Sequence, residues 1–398
     1  MQKQATNPDS GFEDHRIEFV REDEPGVVPD NPDWELFSDT LETALEVESD
    51  ASIEARRGIG AHTPQRHFSG PEEHTATIAY DLQRFFADGS GDPLDPVGDV
   101  FLRDDDGSVT SHTIVDRADK GDARTYTVVR GGFPSLDSID GDPGESVPVV
   151  VTLEYEARKA RSYRVEQPDG EVLTVKSTDD SDTTQSVTLE TDGALSEETL
   201  SLDGTSEVST TTSFSSLDAI WLDSETNGDV LIEDSDGNEL ARLYGADSYD
   251  AGGGDRGIPA TGDGSHADPI ESDYERFIED ELEADGGSLA AEIRSASLSA
   301  EIDYDREPIM GDTVHAIHPG NSTISLEATT AGKFEHSDAL TQHVRGETFD
   351  ITWTMSSGTI TLEEAVLSET GTVGPAADDV VSSIENTFSA RDINVSPN

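Results

Sequence analysis

The residues with the clearest metal-ligand spacing lie in one acidic turn. The spacing follows a calcium-binding loop, with Gly228 at the sixth position and Val230 at the eighth. The standard loop lies between two helices and closes with a bidentate glutamate, whereas strand-like segments flank this one and aspartate takes its last position. The sequence therefore favours a hairpin turn rich in carboxylates and keeps calcium as the alternative, with four candidate ligands: Asp223, Glu225, Asn227 and Asp234.

Histidines gather in two irregular segments, which raises zinc as a second hypothesis. Zinc sites take their ligands at characteristic spacings, and here neither a helix nor a carboxylate at a diagnostic offset fixes the geometry. We therefore expect histidines that hydrogen-bond to the backbone rather than metal ligands: His62, His67 and His74 in the first segment, His315 and His318 in the second.

Sequence motifs of the common enzyme classes are missing. The chain contains no G-x-S-x-G elbow, no Walker loop, no dinucleotide fingerprint and no H-E-x-x-H. Its cysteine count of 0 excludes disulfides and thiolate chemistry. Because 86 residues are Asp or Glu, no catalytic pair of carboxylates stands out. The sequence predicts no catalytic residue and no cofactor, and an enzyme of unknown class stays an alternative.

Charge is the strongest compositional signal. Against those 86 acids stand 25 Lys and Arg, which gives a formal net charge of -61. Such self-repulsion strains a compact fold in dilute buffer, and molar salt screens it because the Debye length falls to about 3 Å. The composition favours a protein adapted to high salt. A disordered acidic chain is the competing interpretation, and regular apolar alternation argues against it.

The same charge limits the partners. The one basic stretch spans residues 158–164, and we interpret it as a strand with a charged exposed face rather than a nucleic-acid site. No segment approaches the roughly 20 apolar residues of a membrane span, so we expect no membrane insertion. The first residues lack the apolar core of a signal peptide, and we expect a protein made and folded inside the cell.

Short alternating apolar segments separated by Asp-Gly and Asn-Gly turns predict antiparallel sheets. Alternation is clearest around Ile78, across residues 147–155 and across residues 349–355. Helices are predicted only at 272–284, 337–345 and 375–389, the last with a stripe of Val381, Ile384 and Phe388. The predicted fold class is mainly β with a few short helices.

Two parts of the chain share one order of elements. Residues 51–55 precede an irregular loop (57–74) that leads into an alternating segment, and residues 295–304 precede a second such loop (305–321). An internal duplication explains this likeness, and the alternative is that any two antiparallel sheets look alike. The predicted parts are a flexible arm (1–33), a first β domain (34–164), an inserted all-β domain (165–245), a linker with a short helix (246–286), a second β domain (287–370) and a C-terminal helix or arm (371–398).

The repeated unit resembles the tail tube proteins of tailed, phage-like viruses. The resemblance is carried by residues 52–55 with 70–80, and by 297–304 with 319–329. It implies two tandem tail-tube-like β-sandwich or barrel domains, with the inserted domain on the outer surface. The acidic composition implies a virus of halophilic archaea.

The function implied by this resemblance is a major tail tube subunit of the virion, assembled in the host cytoplasm. It implies stacked, pseudohexameric rings, each a homotrimer of duplicated chains, whose acidic bore conducts double-stranded DNA without specific binding. Further implied partners are the tape-measure protein and the proteins at the tail ends. The alternatives are a baseplate or distal tail protein of the same fold, or a carbohydrate-binding surface adhesin.

Overall fold

Every regular element in the described part of the chain is a β-strand, and the strands form three antiparallel sheets. The fold is therefore mainly β, as predicted. The computed structural model describes residues 15–29, 32, 34–38, 45–56, 66–81, 109–120, 123–141, 150–191, 197–245, 256–261, 281–284, 287–288, 293–308, 315–331, 348–354, 358–373 and 383–397.

The first seven strands lie before residue 170. They are β1 (His15–Arg21), β2 (Glu35–Ser38), β3 (Glu46–Arg56), β4 (Arg66–Asp81), β5 (His112–Lys120), β6 (Ala123–Gly141) and β7 (Val150–Glu166). Period-two alternation explains the longest of them, because Val151, Leu153 and Tyr155 of β7 are all fully buried. The predicted strand around Ile78 is confirmed as part of β4.

Eight short strands follow and form two four-stranded sheets. They are β8 (Glu171–Ser177), β9 (Ser186–Glu190), β10 (Glu197–Ser201), β11 (Val208–Phe214), β12 (Ala219–Leu222), β13 (Val230–Glu233), β14 (Glu239–Leu243) and β15 (Gly257–Ile258). One sheet has the order β10-β9-β12-β15 and the other β11-β8-β13-β14. The two-residue strand β15 lies within the predicted linker, where it pairs with β12.

The last eight strands complete the large sheet. They are β16 (Glu281–Ala284), β17 (Gly287–Ser288), β18 (Ile293–Pro308), β19 (His315–Ala331), β20 (Phe349–Thr354), β21 (Gly358–Val373), β22 (Ser383–Ala390) and β23 (Asp392–Pro397). Phe349, Ile351 and Trp353 of β20 alternate into the core, as the sequence pattern predicted. With β1–β7 they make one sheet of 15 strands among the described residues.

One strand order occurs twice in this large sheet. In the first half the neighbours run β3-β4-β7-β6-β5-β1-β2, and in the second half they run β18-β19-β22-β21-β20-β16-β17. Each strand holds the same place in chain order in both series. β23 pairs with the first part of β21, so β22 and β23 together occupy the position that β7 alone fills in the first half.

Each half has a residue of positive φ in the corresponding long strand, β6 or β21. Gly131 in β6 has a φ of +60° and lies opposite Arg158, whose Cδ would be 2.8 Å from a Cβ at this glycine. In the second half Glu364 of β21 has a φ of 49°. It lies beside Arg391, whose guanidinium is 2.7 Å from the Glu364 carboxylate. Positive φ is rare for residues other than glycine. With Leu136 and Leu367 taken as equivalent, the two positions lie two residues apart in the repeat.

Two large apolar cores hold the described residues together. The first joins the two halves of the 15-stranded sheet, with Leu136, Leu153, Leu298 and Leu326 fully buried within it. The second lies between the small sheets and one end of β5, β6 and β7, around residues 115, 126–128 and 163–165. Polar contacts reinforce that second junction, since Asp218 binds both Arg117 and Arg124.

The three helix predictions are not confirmed. Residues 281–284 of the first predicted helix form β16, and residues 383–389 of the third lie in β22. Ile384 and Phe388 are four residues apart, and that spacing fits one face of a strand as well as one face of a helix. The predicted helix at 337–345 lies outside the described residues.

Segments predicted as irregular are also strands. β1 falls within the predicted flexible arm and is held in the sheet by Phe19, which is buried. Parts of the loops predicted at 57–74 and 305–321 are strands too, since residues 66–74 lie in β4 and residues 305–308 and 315–321 lie in β18 and β19. These strands form two long antiparallel pairs, β3–β4 and β18–β19. Among the described residues, no helix is long and apolar enough to cross a membrane.

Candidate assembly surface

A seam of backbone pairing joins the two halves of the large sheet. β18 of the second half lies antiparallel to the last part of β6 in the first half, with Leu298 opposite Ile139 and Ser297 opposite Asp140. The Ser297 hydroxyl also donates a hydrogen bond of 2.6 Å to the Asp140 carboxylate. Leu298 and Ile139 are fully buried. The seam is therefore packed on one face and polar on the other.

The polar side of this seam belongs to a continuous surface, which we call the acidic face. Residues directly opposite one another on neighbouring strands share a face of the sheet. One such row crosses five strands and both halves: Asp140, Ser297, Glu327, Thr387 and Glu369. A second row in the first half contains Glu46, Thr77, Glu154 and Ser135.

Carboxylates on the acidic face lie close enough to influence one another. The pKa of Glu154 is raised, first by partial burial and then by the negative charges of Asp137 and Glu301. These three residues belong to β7, β6 and β18, so the effect spans the seam. Neither Lys nor Arg occurs in the described segments that form this face, 45–50, 73–79, 132–140, 150–157, 295–302, 322–329, 366–369 and 385–390.

A continuous path of neighbouring strands runs through both halves in the order β3-β4-β7-β6-β18-β19-β22-β21. Each end of this path leaves a strand edge without a described neighbour. β3 pairs with β4 along one edge, and no described strand pairs with its other edge. At the opposite end, Glu369–Val373 of β21 pairs with β22 alone among the described strands. Exposed strand edges are templates for pairing with another chain. The two edges are thus the places where the described sheet can be extended.

Arg306 ties the long hairpin of the second half to the first half. Its side chain is 14% exposed, contacts the Glu156 carboxylate and lies 3.6 Å from the Glu73 carboxylate. It also donates a hydrogen bond of 3.3 Å to the His74 carbonyl oxygen. Nearby, the Tyr304 hydroxyl donates to the Pro134 carbonyl oxygen. Polar contacts therefore fix the direction of this hairpin against β4, β6 and β7.

Replacing Arg306 with alanine is expected to lower the free energy of unfolding by about 1–3 kcal/mol, because two half-buried carboxylate contacts are lost. Urea denaturation in molar salt measures this. The matched control is Arg164→Ala, which removes an ion pair with Glu166 from an arginine that is 71% exposed. We expect that change to cost less than about 1 kcal/mol. Equal losses in the two variants would contradict the role given to Arg306.

The four calcium candidates lie in two separate turns. Asp223, Glu225 and Asn227 precede β13, whereas Asp234 follows it. The Asp223 carboxylate accepts a hydrogen bond of 3.0 Å from the Ser186 amide. The Asp234 carboxylate accepts hydrogen bonds from the amide and side chain of Asn238, which lower its pKa.

A buried aspartate that sequence analysis missed holds the first of these turns. Asp182 is fully buried and accepts hydrogen bonds from the Asn227 amide at 2.9 Å and the Gly228 amide at 2.9 Å. A Cβ at Gly228 would lie 2.5 Å from the Asp179 amide nitrogen, so this close approach requires glycine. In the described part of the chain, no group of three or more His, Asp or Glu residues could hold a metal ion.

The histidines of the two hairpins occupy different environments. His74 is buried, and its Nδ1 atom lies 2.7 Å from the Ser49 hydroxyl. His318 is exposed and lies opposite Asp305. His67 and His315 are strand residues opposite Ala55 and Pro308, and His62 lies outside the described residues.

Comparison with known proteins gives structural matches alone. No family model matches the sequence, and neither does any curated protein. A chain of the sheath–tube complex of an extracellular contractile injection system, PVC, in its extended state aligns at 17% identity and a TM-score of 0.26, over 31% of this chain and 90% of that one.

Two further matches have similar extents. A chain of the virion of a native gene transfer agent particle aligns at 12% identity and a TM-score of 0.26, over 31% of this chain and 98% of that one. A chain of the tube terminating cap of the anti-feeding prophage aligns at 14% identity and a TM-score of 0.27, over 34% and 99%. Each of the three alignments covers about a third of this chain and 90% or more of the other chain.

Proposed function

We propose that this chain is the major tail tube subunit of a phage-like particle and carries two tandem tail-tube-like domains. The observation that carries the proposal is the strand order that occurs twice in one sheet, joined through the β6·β18 seam. A unit that joins a copy of itself edge to edge can continue to do so until a ring closes. Closure of a ring removes exposed strand edges. Assembly would therefore cover both of the edges at which this chain's sheet can be extended.

Three chains would supply six copies of the repeated unit to each ring. In this arrangement every second junction is the seam within one chain, and the remaining junctions lie between chains. Closed cyclic symmetry is the usual outcome of such repeated contacts. We therefore propose a homotrimeric, pseudohexameric ring, and stacked rings form the tube.

The acidic face lines the bore in this proposal. One of its rows of carboxylates and hydroxyls crosses the seam, and its described segments carry no Lys or Arg. DNA binding depends on neutralising phosphates with basic side chains, and a wall of carboxylates repels the phosphates instead. Double-stranded DNA would therefore pass along this surface without specific binding.

The proposed tube also gives roles to the small sheets, the long hairpins and the expected partners. The small sheets (β8–β15) would decorate the outside of the tube. The long hairpins β3–β4 and β18–β19 would reach the adjoining ring. Partners are further copies of the chain, the tape-measure protein in the bore before ejection, and the tail-end proteins. The particle would be assembled in the cytoplasm of a halophilic host, whose salt would screen the net charge of -61.

Electron microscopy of the purified protein in about 3 M salt tests the proposal, because charge repulsion is screened there. We expect rings of uniform diameter with a central hole, or tubes built from them, and threefold averages in which the decoration repeats three times. Long tubes favour the tube subunit over a baseplate protein, which occurs in few copies. Monomers at every salt and protein concentration would overturn the proposal.

A further inference from the structure

The seam inside the chain provides a template for the contact between chains. Its register is set by Leu298 opposite Ile139, with Ser297 opposite Asp140 on the polar side. A shift of one residue would turn every apolar side chain to the wrong face of the sheet. The register of an equivalent contact elsewhere in the sheet is therefore equally restricted.

Equivalent positions in the two halves follow from the backbone pairing. Leu136 and Leu367 each come before a bulge, and they lie opposite Leu153 and Phe388. Counting past that bulge makes Thr370 of β21 the counterpart of Ile139 in β6. On the other side, Ile78 and Leu326 lie opposite the same two residues of β7 and β22, and counting along β4 and β19 makes Leu45 the counterpart of Leu298.

We propose that the edge of β3 pairs with the second part of β21 of a neighbouring copy of this chain, with Leu45 opposite the partner subunit's Thr370. This inference rests on the proposed ring and specifies its contact between chains. The occupant of both edges is thus a second copy, because the two edges are the counterparts of strands that already pair with each other within one chain.

Side chains at the β3 edge fit this contact. Leu45 is 8% exposed and belongs to the core that both halves share, so its side chain already points to the packed face. Glu46, the next residue, lies on the acidic face. Pairing in this register therefore continues the apolar core on one side and the row of carboxylates on the other.

Disulfide trapping tests the register, and the chain is suited to it because it contains no cysteine. Opposed residues of antiparallel strands have Cα atoms about 4.5–5.5 Å apart, within the range that a disulfide spans. The test variant carries Leu45→Cys and Thr370→Cys. Its matched control carries Leu298→Cys and Ile139→Cys, the counterpart pair within one chain.

After oxidation of assembled protein, we expect the test variant to give covalent multimers that end at a closed trimer, and each single variant to give none. The control should form its disulfide within the monomer whether or not rings are present. A second off-register variant, Val47→Cys with Thr370→Cys, should trap far less. Rings without trapping of the test pair would overturn the register and leave the ring proposal intact, whereas absence of rings would overturn both.

Hydrogen exchange of the unmodified chain gives an independent measurement. We expect backbone amides of residues 45–47 and 369–371 to exchange at least tenfold more slowly in rings than in unassembled chains, because pairing in this register protects them. Amides of β10, at the edge of a small sheet, should not change. Unchanged exchange at 45–47 and 369–371 in intact rings would overturn the inference even if the cysteine variants fail to fold.

Discussion

Replacing Glu22 with alanine is expected to lower the free energy of unfolding by about 3–5 kcal/mol. Its carboxylate is buried where β1 ends and accepts four hydrogen bonds. Two come from hydroxyls, Ser111 at 2.7 Å and Thr113, and two from amides, Gly26 at 2.8 Å and Gly131 at 3.1 Å. Alanine would leave these donors buried without an acceptor, and one of them is the amide of Gly131, the positive-φ residue of β6.

Urea denaturation in molar salt measures this loss. The matched variant is Glu22→Gln, which keeps one acceptor oxygen and the shape of the side chain. It should lose less stability than Glu22→Ala, although its amide group faces donors. A loss below about 1 kcal/mol in the alanine variant would mean that water replaces the carboxylate, and would contradict the role of Glu22 as the anchor of β1.

Acid is expected to destabilise the fold through His112. Its ring is fully buried between Phe19 and Tyr155, with ring centroids 5.7 and 6.0 Å away. Neither ring nitrogen has a hydrogen-bond partner in the described part of the chain. Burial, and then the positive charge of Arg21, lowers the pKa of His112 to about 3.

The direction in which stability changes with pH follows from the difference between the folded and unfolded pKa values of His112. Well above pH 6.5 the imidazole is neutral in both states. Below that pH the imidazole of the unfolded chain binds a proton, whereas in the folded chain it stays neutral down to about pH 3. Stability should therefore fall through this window, by about 2 kcal/mol between pH 8 and pH 5 from His112 alone. His74, with a pKa lowered to about 4 mainly by burial, acts in the same direction.

A comparison of unfolding free energies at pH 8 and pH 5 checks this expectation. His112→Phe keeps an aromatic ring between Phe19 and Tyr155 and should lose about 2 kcal/mol less stability on acidification than the unmodified chain. Tyr155→Phe leaves the imidazole buried and should retain the acid sensitivity. The same pH dependence in His112→Phe and in the unmodified chain would contradict the assignment.

Strands with one buried face could be predicted from the sequence, because burial leaves an alternating pattern. Ile351 and Trp353 in β20, and Leu153 in β7, stand in such patterns and are buried. The pattern fails where a polar residue lies on the buried face. In β22, buried Asn386 lies between Ile384 and Phe388 and hides the alternation, and the remaining spacing of four was interpreted as a helix.

The long hairpins could not be predicted because proline and glycine interrupt their strands. Gly70 and Pro71 lie in β4 near a register shift in the β3·β4 pair, and Pro319 and Gly320 lie in β19 at a comparable shift. Such bulges occur within sheets, yet in a sequence they have the composition of a loop. The Pro/Gly steps did identify equivalent places in the two halves.

The candidate assembly surface could not be predicted from the sequence, for a different reason. Asp140 and Ser297 are 157 positions apart in sequence, and only the register of the sheet brings them together. Composition could not select Glu22, Asp182 or Glu154 from 86 acids, since what distinguishes them is burial and neighbouring groups. In a chain this acidic, a carboxylate with a specific structural role leaves no local signal in the sequence.

In the proposed ring, the two halves that pair at the β6·β18 seam belong to one polypeptide, and this would change how ring formation depends on protein concentration. Separate single-unit proteins would have to form six contacts between independent molecules, whereas three linked pairs form half of the contacts while each chain folds. The translational entropy lost on closure is then that of three bodies, and tethering supplies a high effective concentration for the rest. Linkage would also allow the two units to diverge. Among the described residues the small sheets follow the first unit alone, so each proposed ring would present its decoration at three positions with open surface between them.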